Sequence, residues 1–293
     1  MKSRFTSAAV TICVLFFFNG TGVCQDKGGA SDWTDKVGQG SINWSKGYVE
    51  AIGIGALPDN LMRKINARPI ALHEAKADAL RNLLDIIKSV QFDSITVIKD
   101  FTVRSDIVNT KINGLLVGAE VADYQYLPDG RAEVKMRIPL YGNLARIIMP
   151  LAMARTYTEI ALNEAAPAPI AKDPSAPFAS VVYTGMIVDA RGSQTRPALS
   201  PRIFDEDGTE VYSLSKVDIE YATKEGVSGY AHDFATVVIN QRVGANPIMV
   251  KTLGISGSGK TDIIISNADA QKVKSAAVSA SFLKQCKVMI VLD

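Results

Sequence analysis

Between residues 69 and 90 the apolar positions recur every three or four residues. Leu72, Ala75, Ala79, Leu83, Ile87 and Val90 form one stripe, and Glu74, Asp78, Arg81, Asp85 and Lys88 populate the other face. That period predicts an amphipathic helix. Pro69 suits its first turn, where a missing N–H costs nothing. On either side of this helix the period falls to two. Residues 41–56 predict one strand, with Ile42, Trp44, Tyr48, Ile52 and Ile54 on one face. Gly53 and Gly55 fall on the other face, where close packing against backbone is expected. Ile95, Val97, Phe101 and Val103 alternate and predict a second strand, and residues 115–126 a third. Residues 132–140 alternate cleanly with Arg131, Glu133, Lys135 and Arg137, after a Pro128-Asp129-Gly130 turn. The last two strands therefore predict a half-buried antiparallel hairpin. The expected first domain, residues 41–162, is β-α-β-β-β, one helix on a mainly antiparallel sheet.

Residues 163–178 carry Pro167, Pro169, Pro174 and Pro177 among alanines. Such a run cannot continue a helix and predicts an extended, semi-rigid linker. Beyond it, residues 179–293 predict a mixed α/β domain. Strands are expected at 183–188, 247–255, 262–266 and 287–292. A hairpin is expected at 201–212, turning at Asp205-Glu206-Asp207-Gly208, and a helix from Ala268 capped by Asn267. The fold class is thus α+β in two domains joined by a Pro/Ala linker.

The first 24 residues change the picture of where the chain works. Lys2 and Arg4 precede an uncharged apolar run at 8–18, and small residues follow at Gly20-Thr21-Gly22. This is the layout of a signal peptide, and the run is too short for a membrane-anchored helix. Residues 25–40, polar and glycine-rich, predict a flexible leader. No later segment is long and apolar enough to span a membrane. The expected location is the periplasm, with outer-membrane association if Cys24 carries lipid. Thr21 and Val23 stand where a lipobox usually has Leu and a small residue, so soluble cleavage near Cys24 is favoured over lipidation. A Cys24–Cys286 disulfide is a weaker alternative. The formal charge is +2, from 32 basic and 30 acidic side chains. Lys2 and Arg4 belong to the leader, so the exported chain is neutral and nucleic acid is not an expected partner.

Residues 254–261, GISGSGKT, match the phosphate-binding loop pattern through Gly254, Gly259, Lys260 and Thr261. In such a loop Lys260 would reach the phosphates and Thr261 the magnesium. A helix must then begin at the Lys-Thr pair, yet Asp262-Ile263-Ile264-Ile265 follows and is strand-like. The expectation is a hairpin loop, with a nucleotide hydrolase as the lesser alternative. Asp205, Asp207 and Glu210 are weak candidates for calcium, but their spacing is not that of an EF-hand loop. An Asp-Gly turn with solvated acids is favoured. His73 and His232 are the only histidines, lie in different domains, and belong to no zinc pattern. Asp189 and Arg191, at a strand end, are candidates for a partner contact, with an ion pair as the plainer reading. Trp44 and Tyr48, with Tyr124 and Tyr126, are candidates for an exposed aromatic patch, against half-buried sheet packing. No catalytic residue, cofactor or resident metal is expected.

Three segments of the first domain carry a resemblance. The strand INWSKGYVEAIGIGA, the helix RPIALHEAKADALRNLLDII and the hairpin ending GRAEVKMRIPLYG resemble the lipoprotein-20 family and the related N-terminal domain of flagellar assembly protein T. The likeness covers residues 41–142 and is most specific at the glycine-rich strand followed by Ala71-Ala75-Ala79-Leu80. The second domain resembles, more faintly, a C-terminal region of exported proteins of this type. The resemblance implies an envelope location, no enzymatic activity and, in one branch, a role in periplasmic rings around the flagellar motor. The expected function is a non-catalytic exported envelope protein acting through protein–protein contacts, with envelope or flagellar proteins as partners and homo-oligomerisation left open. A ligand- or calcium-binding periplasmic module is the alternative.

Overall fold

The computed structural model describes residues 32–56, 67–163 and 182–293. The signal segment, Cys24, the leader up to residue 31 and linker residues 164–178 lie outside the described residues. The fold is α+β in two halves, each with its own sheet. The first half runs β1 (Thr34–Val37), β2 (Gly40–Asn43), β3 (Tyr48–Gly55), α1 (Ala67–Ser89), α2 (Ile98–Arg104), α3 (Asp106–Leu116), β4 (Glu120–Tyr126), β5 (Ala132–Pro139) and α4 (Asn143–Asn163). Its strands lie in the order β1-β2-β3-β5-β4, every pair antiparallel.

The long helix and the last hairpin stand where periodicity puts them. Ala71, Ala75, Ala79, Leu83, Ile86 and Ile87 of α1 are buried against the sheet. The glycine face of β3 receives this helix. A Cβ at Gly53 would fall on the Ala79 amide nitrogen, and one at Gly55 on the Ala71 carbonyl oxygen. Small residues on both sides let helix backbone and strand backbone approach directly.

Four expectations for this half are corrected. The strand at 41–56 is two strands, because a turn at residues 44–47 breaks it. Past that turn Val49, Ala51, Gly53 and Gly55 face the core, while Ile52 and Ile54 face outward. The leader is ordered from residue 32, since β1 pairs with β2 and Trp33 and Val37 pack on the core. The strand at 95–103 is helix α2: the Asp93 carboxylate accepts from the amides of Ile95 and Thr96, and Asp100 accepts from Val97 N. Those bonds turn the backbone, and Ile98 and Thr102, four apart, become the buried pair. The segment 115–126 is strand only from Glu120, because α3 occupies residues up to Leu116.

The second half contains β6 (Gly185–Asp189), β7 (Ile203–Phe204), β8 (Glu210–Tyr212), a 3₁₀ turn at Leu214–Lys216, α5 (Ile219–Glu225), β9 (Gly229–Ala231), α6 (Phe234–Val238), β10 (Pro247–Ser256), β11 (Asp262–Ile265), α7 (Asn267–Ser279) and β12 (Val288–Val291). They build a mixed sheet in the order β8-β7-β11-β10-β6-β12-β9. Central β6 pairs in parallel with β10 and β12. Met186, Val188, Val288 and Ile290 join the main core, whereas Ile187, Met289 and Val291 join a second cluster with Val237 of α6. Both faces are covered, so these strands are apolar without alternation. The cap of α7 is Ser266 rather than Asn267, its hydroxyl accepting from Asp269 N.

The halves meet over one continuous core. The rings of Trp44 and Tyr230 pack edge to face at 5.8 Å. Leu199 N donates to Gln91 O at 3.0 Å, Ser200 N to Phe92 O at 2.7 Å, and Gly142 N to Thr223 O at 2.8 Å.

Candidate functional site

The phosphate-loop look-alike is the tip of the β10–β11 hairpin, closed by the pair Ser256↔Asp262. Its amides face protein rather than an open cradle. Gly259 N donates to the Ser94 carbonyl at 2.6 Å, and Ser258 Oγ donates to the same oxygen at 3.0 Å. No helix starts at Lys260-Thr261; β11 follows, and α7 begins only at Asn267. Lys260 Nζ donates to Gln194 Oε1 at 3.1 Å. Asp262, 2% exposed, accepts from Arg202 Nη2 at 2.6 Å and Nε at 3.1 Å, and Arg202 also reaches Ser94 Oγ at 2.7 Å. The motif thus works as a clamp between the halves. Lys260→Ala is expected to change stability by under about 0.5 kcal/mol. Millimolar Mg-ATP is expected to leave the melting temperature of both proteins unchanged; a rise in the wild type alone would restore the nucleotide reading.

The acids at 205–210 are committed to structure. Asp205 accepts from Thr209 N at 2.7 Å and from Lys274 Nζ at 3.0 Å. Glu206 Oε2 accepts from Asn267 N at 2.9 Å, and Asp207 Oδ2 accepts from Asn267 Nδ2 at 2.9 Å. Glu210 accepts from Ser213 and Ser215. The acids expected to be solvated at this turn are bonded instead: these carboxylates fasten the β7–β8 turn to neighbouring elements. Among the described residues no group of three or more His, Cys, Asp and Glu is placed to hold a metal. Burial opposes ionisation of Asp205, but the bonds from Lys274 and Thr209 outweigh it and hold the carboxyl below its usual range. A depressed pKa stabilises the fold above the unfolded value of about 3.9, and this contribution is lost as pH falls through the lower folded value. Asp205→Asn is therefore expected to flatten the acid limb of the stability curve below about pH 4, read by urea midpoints.

Asp189 and Arg191 form an ion pair at the end of β6, with Arg191 Nη2 donating to Asp189 Oδ2 at 2.7 Å. The Arg191 guanidinium rests on the Phe234 ring at 5.1 Å. Beside it Gly192 N donates to Asp293 Oδ2 at 2.6 Å, and Trp33 Nε1 donates to Asp293 O at 3.0 Å. This corner ties the C-terminus to the start of the first sheet. His232 Nδ1 lies 3.1 Å from Leu292 O, and His73 is exposed on α1. Cys286 is free and buried, and burial pushes its thiol up to about 11.

The aromatic candidates separate. Trp44 is 2% exposed and bonds Asp35 through Nε1, so its expectation as a partner contact is corrected. Tyr48 is covered by the Arg137 guanidinium, 4.0 Å from its ring centroid, and is no free surface either. Tyr124 and Tyr126 stand out on β4, 56% and 40% exposed, their rings edge to face at 6.1 Å, with Arg68 of α1 over Tyr126. All seven residues of β4 are exposed, and β4 is the edge of its sheet. The β3 edge is treated differently: where β2 ends, Asp78 accepts from Ile54 N and Asn82 donates to Ile52 O.

Register places the β4 side chains on two faces. Val121, Tyr124 and Tyr126 lie on the helix side, opposite Met136, Val134 and Ala132, while Glu120, Asp123 and Gln125 lie outside, opposite Arg137, Lys135 and Glu133. A bulge at Ala122 keeps Asp123 on the outer face. Sequence reasoning missed Glu120 and Asp123; their signal was the match of acids here to bases on the following strand.

These features define a two-part α+β scaffold in which the β4 edge of the first sheet is exposed along its length among the described residues. Residues 185–293 match a family described as Treponema pallidum Tp0624, second domain, a stretch that takes in the whole second sheet. No curated protein matches the chain.

Proposed function

We propose that this chain is a non-catalytic exported protein of the bacterial envelope, located in the periplasm and acting through protein–protein contacts. The observation that carries the reading is the β4 edge, exposed along all seven residues and bearing two exposed tyrosines. An open edge presents unpaired backbone donors and acceptors, and folds that keep one usually cover it or use it. The lipoprotein-20 and flagellar assembly resemblance of the first half makes assembly of flagellar or other surface structures the process proposed.

The test is a crosslinked pull-down of the tagged protein from the intact envelope, for the wild type and for Tyr124→Ser/Tyr126→Ser. The reading predicts a defined set of envelope proteins with the wild type that is lost with the double variant. An identical set from both would place the contacts elsewhere. Saturable turnover of any substrate, abolished by one substitution, would overturn the non-catalytic reading.

A further inference from the structure

We infer that β4 is completed by a strand from another polypeptide, an extended segment with two basic side chains on one face and apolar side chains on the other. The inference rests on the protein-contact reading above and names the chemistry of the contact. On two cross-strand rows of the first sheet's outer face an acid of β4 opposes a base of β5. One cross-strand row runs Glu50, Arg137, Glu120, and the next runs Ile52, Lys135, Asp123. Within the first row Arg137 Nε already donates to Glu50 Oε1 at 2.8 Å. Both rows end on an acid at the open edge.

Among the described residues no hydrogen bond or ion pair meets the Glu120 carboxylate, and Asp123 accepts only from the amide of its neighbour Tyr124. A strand added beside β4 would meet both acids on its outer face, where cations pair with them and acids repel. On its inner face it would lie against Val121, Tyr124 and Tyr126, each at least 40% exposed. That surface suits β-branched or aromatic side chains. The β4 strand of a second copy is a poor occupant, because residues 120–126 hold two acids and no Lys or Arg. The acids and the bulge act as guards against such self-pairing.

The test uses two synthetic peptides, Ac-TVKVKVT-NH2 and Ac-TVEVEVT-NH2, with the full exported chain. Binding is read by fluorescence anisotropy and location by hydrogen exchange. The lysine peptide is expected to bind at least about tenfold tighter than the glutamate peptide and to slow exchange at residues 120–126. Glu120→Lys/Asp123→Lys is expected to reverse the order, and Glu120→Gln/Asp123→Asn to abolish the preference at unchanged melting temperature. Equal affinities, no binding, or protection outside β4 would overturn the inference. So would a concentration-dependent dimer that slows exchange at the same residues. Loss of peptide binding with an intact, tyrosine-dependent pull-down would remove the basic-strand chemistry and leave the protein-contact reading standing.

Discussion

Gly53→Ala is expected to destabilise the fold by about 3 kcal/mol. The new Cβ would fall on the Ala79 amide nitrogen and beside the Ala75 carbonyl. These are backbone atoms of a 23-residue helix, so no rotamer change relieves the clash. The helix must lift off the sheet, and with it the burial of Leu83, Ile86 and Ile87. In a chain of this size the loss corresponds to a fall of roughly 6–12 °C in melting temperature. Gly114→Ala is the matched control. Gly114 lies in α3 with open space around its would-be Cβ, so alanine there should stabilise by up to about 1 kcal/mol. Calorimetry of both variants checks the pair, and a fall of under about 3 °C for Gly53→Ala would refute the close-packed interface.

Arg202→Met is expected to cost about 3 kcal/mol, because it leaves the buried Asp262 carboxylate without its cation. The figure sits at the low end for a broken buried pair, since about a third of the Arg202 side chain is exposed. The same substitution removes the bond to Ser94 and so loosens the clamp between the halves. Replacing both partners, Arg202→Met with Asp262→Leu, should recover most of the loss, since no unpaired charge then remains. Urea unfolding at pH 7 reads both. A cost under about 0.5 kcal/mol for the single variant would show that the pair contributes nothing net.

How much of this was legible depended on whether local pattern and tertiary context agreed. In α1 and β5 they agree, and the period alone places the element; in β12 an unbroken apolar run does so. Around residues 93–104 they conflict. Ile95, Val97, Phe101 and Val103 alternate like a strand, but the side chains of Asp93 and Asp100 bond the local backbone and set a helix. In β3 the isoleucines mislead, because the buried face is the one with glycine and alanine, chosen for closeness rather than hydrophobicity. The hairpin at 256–262 was readable from the strand-like run after Thr261, but its docking on Ser94 was not, since the two are 164 residues apart. Tyr124 and Tyr126 were visible as aromatics. That they sit on an edge follows only from strand order, in which β5 and not β4 pairs with β3.

The protein-contact reading stands or falls at β4, and a photo-crosslinking side chain introduced there in living cells tests it most directly. The residue is placed at Tyr124, and separately at Ile239, an exposed position after α6 in the second half. The account predicts a discrete crosslinked product with another protein from position 124 and none from position 239. Products from 239 alone, or from neither position, would contradict it.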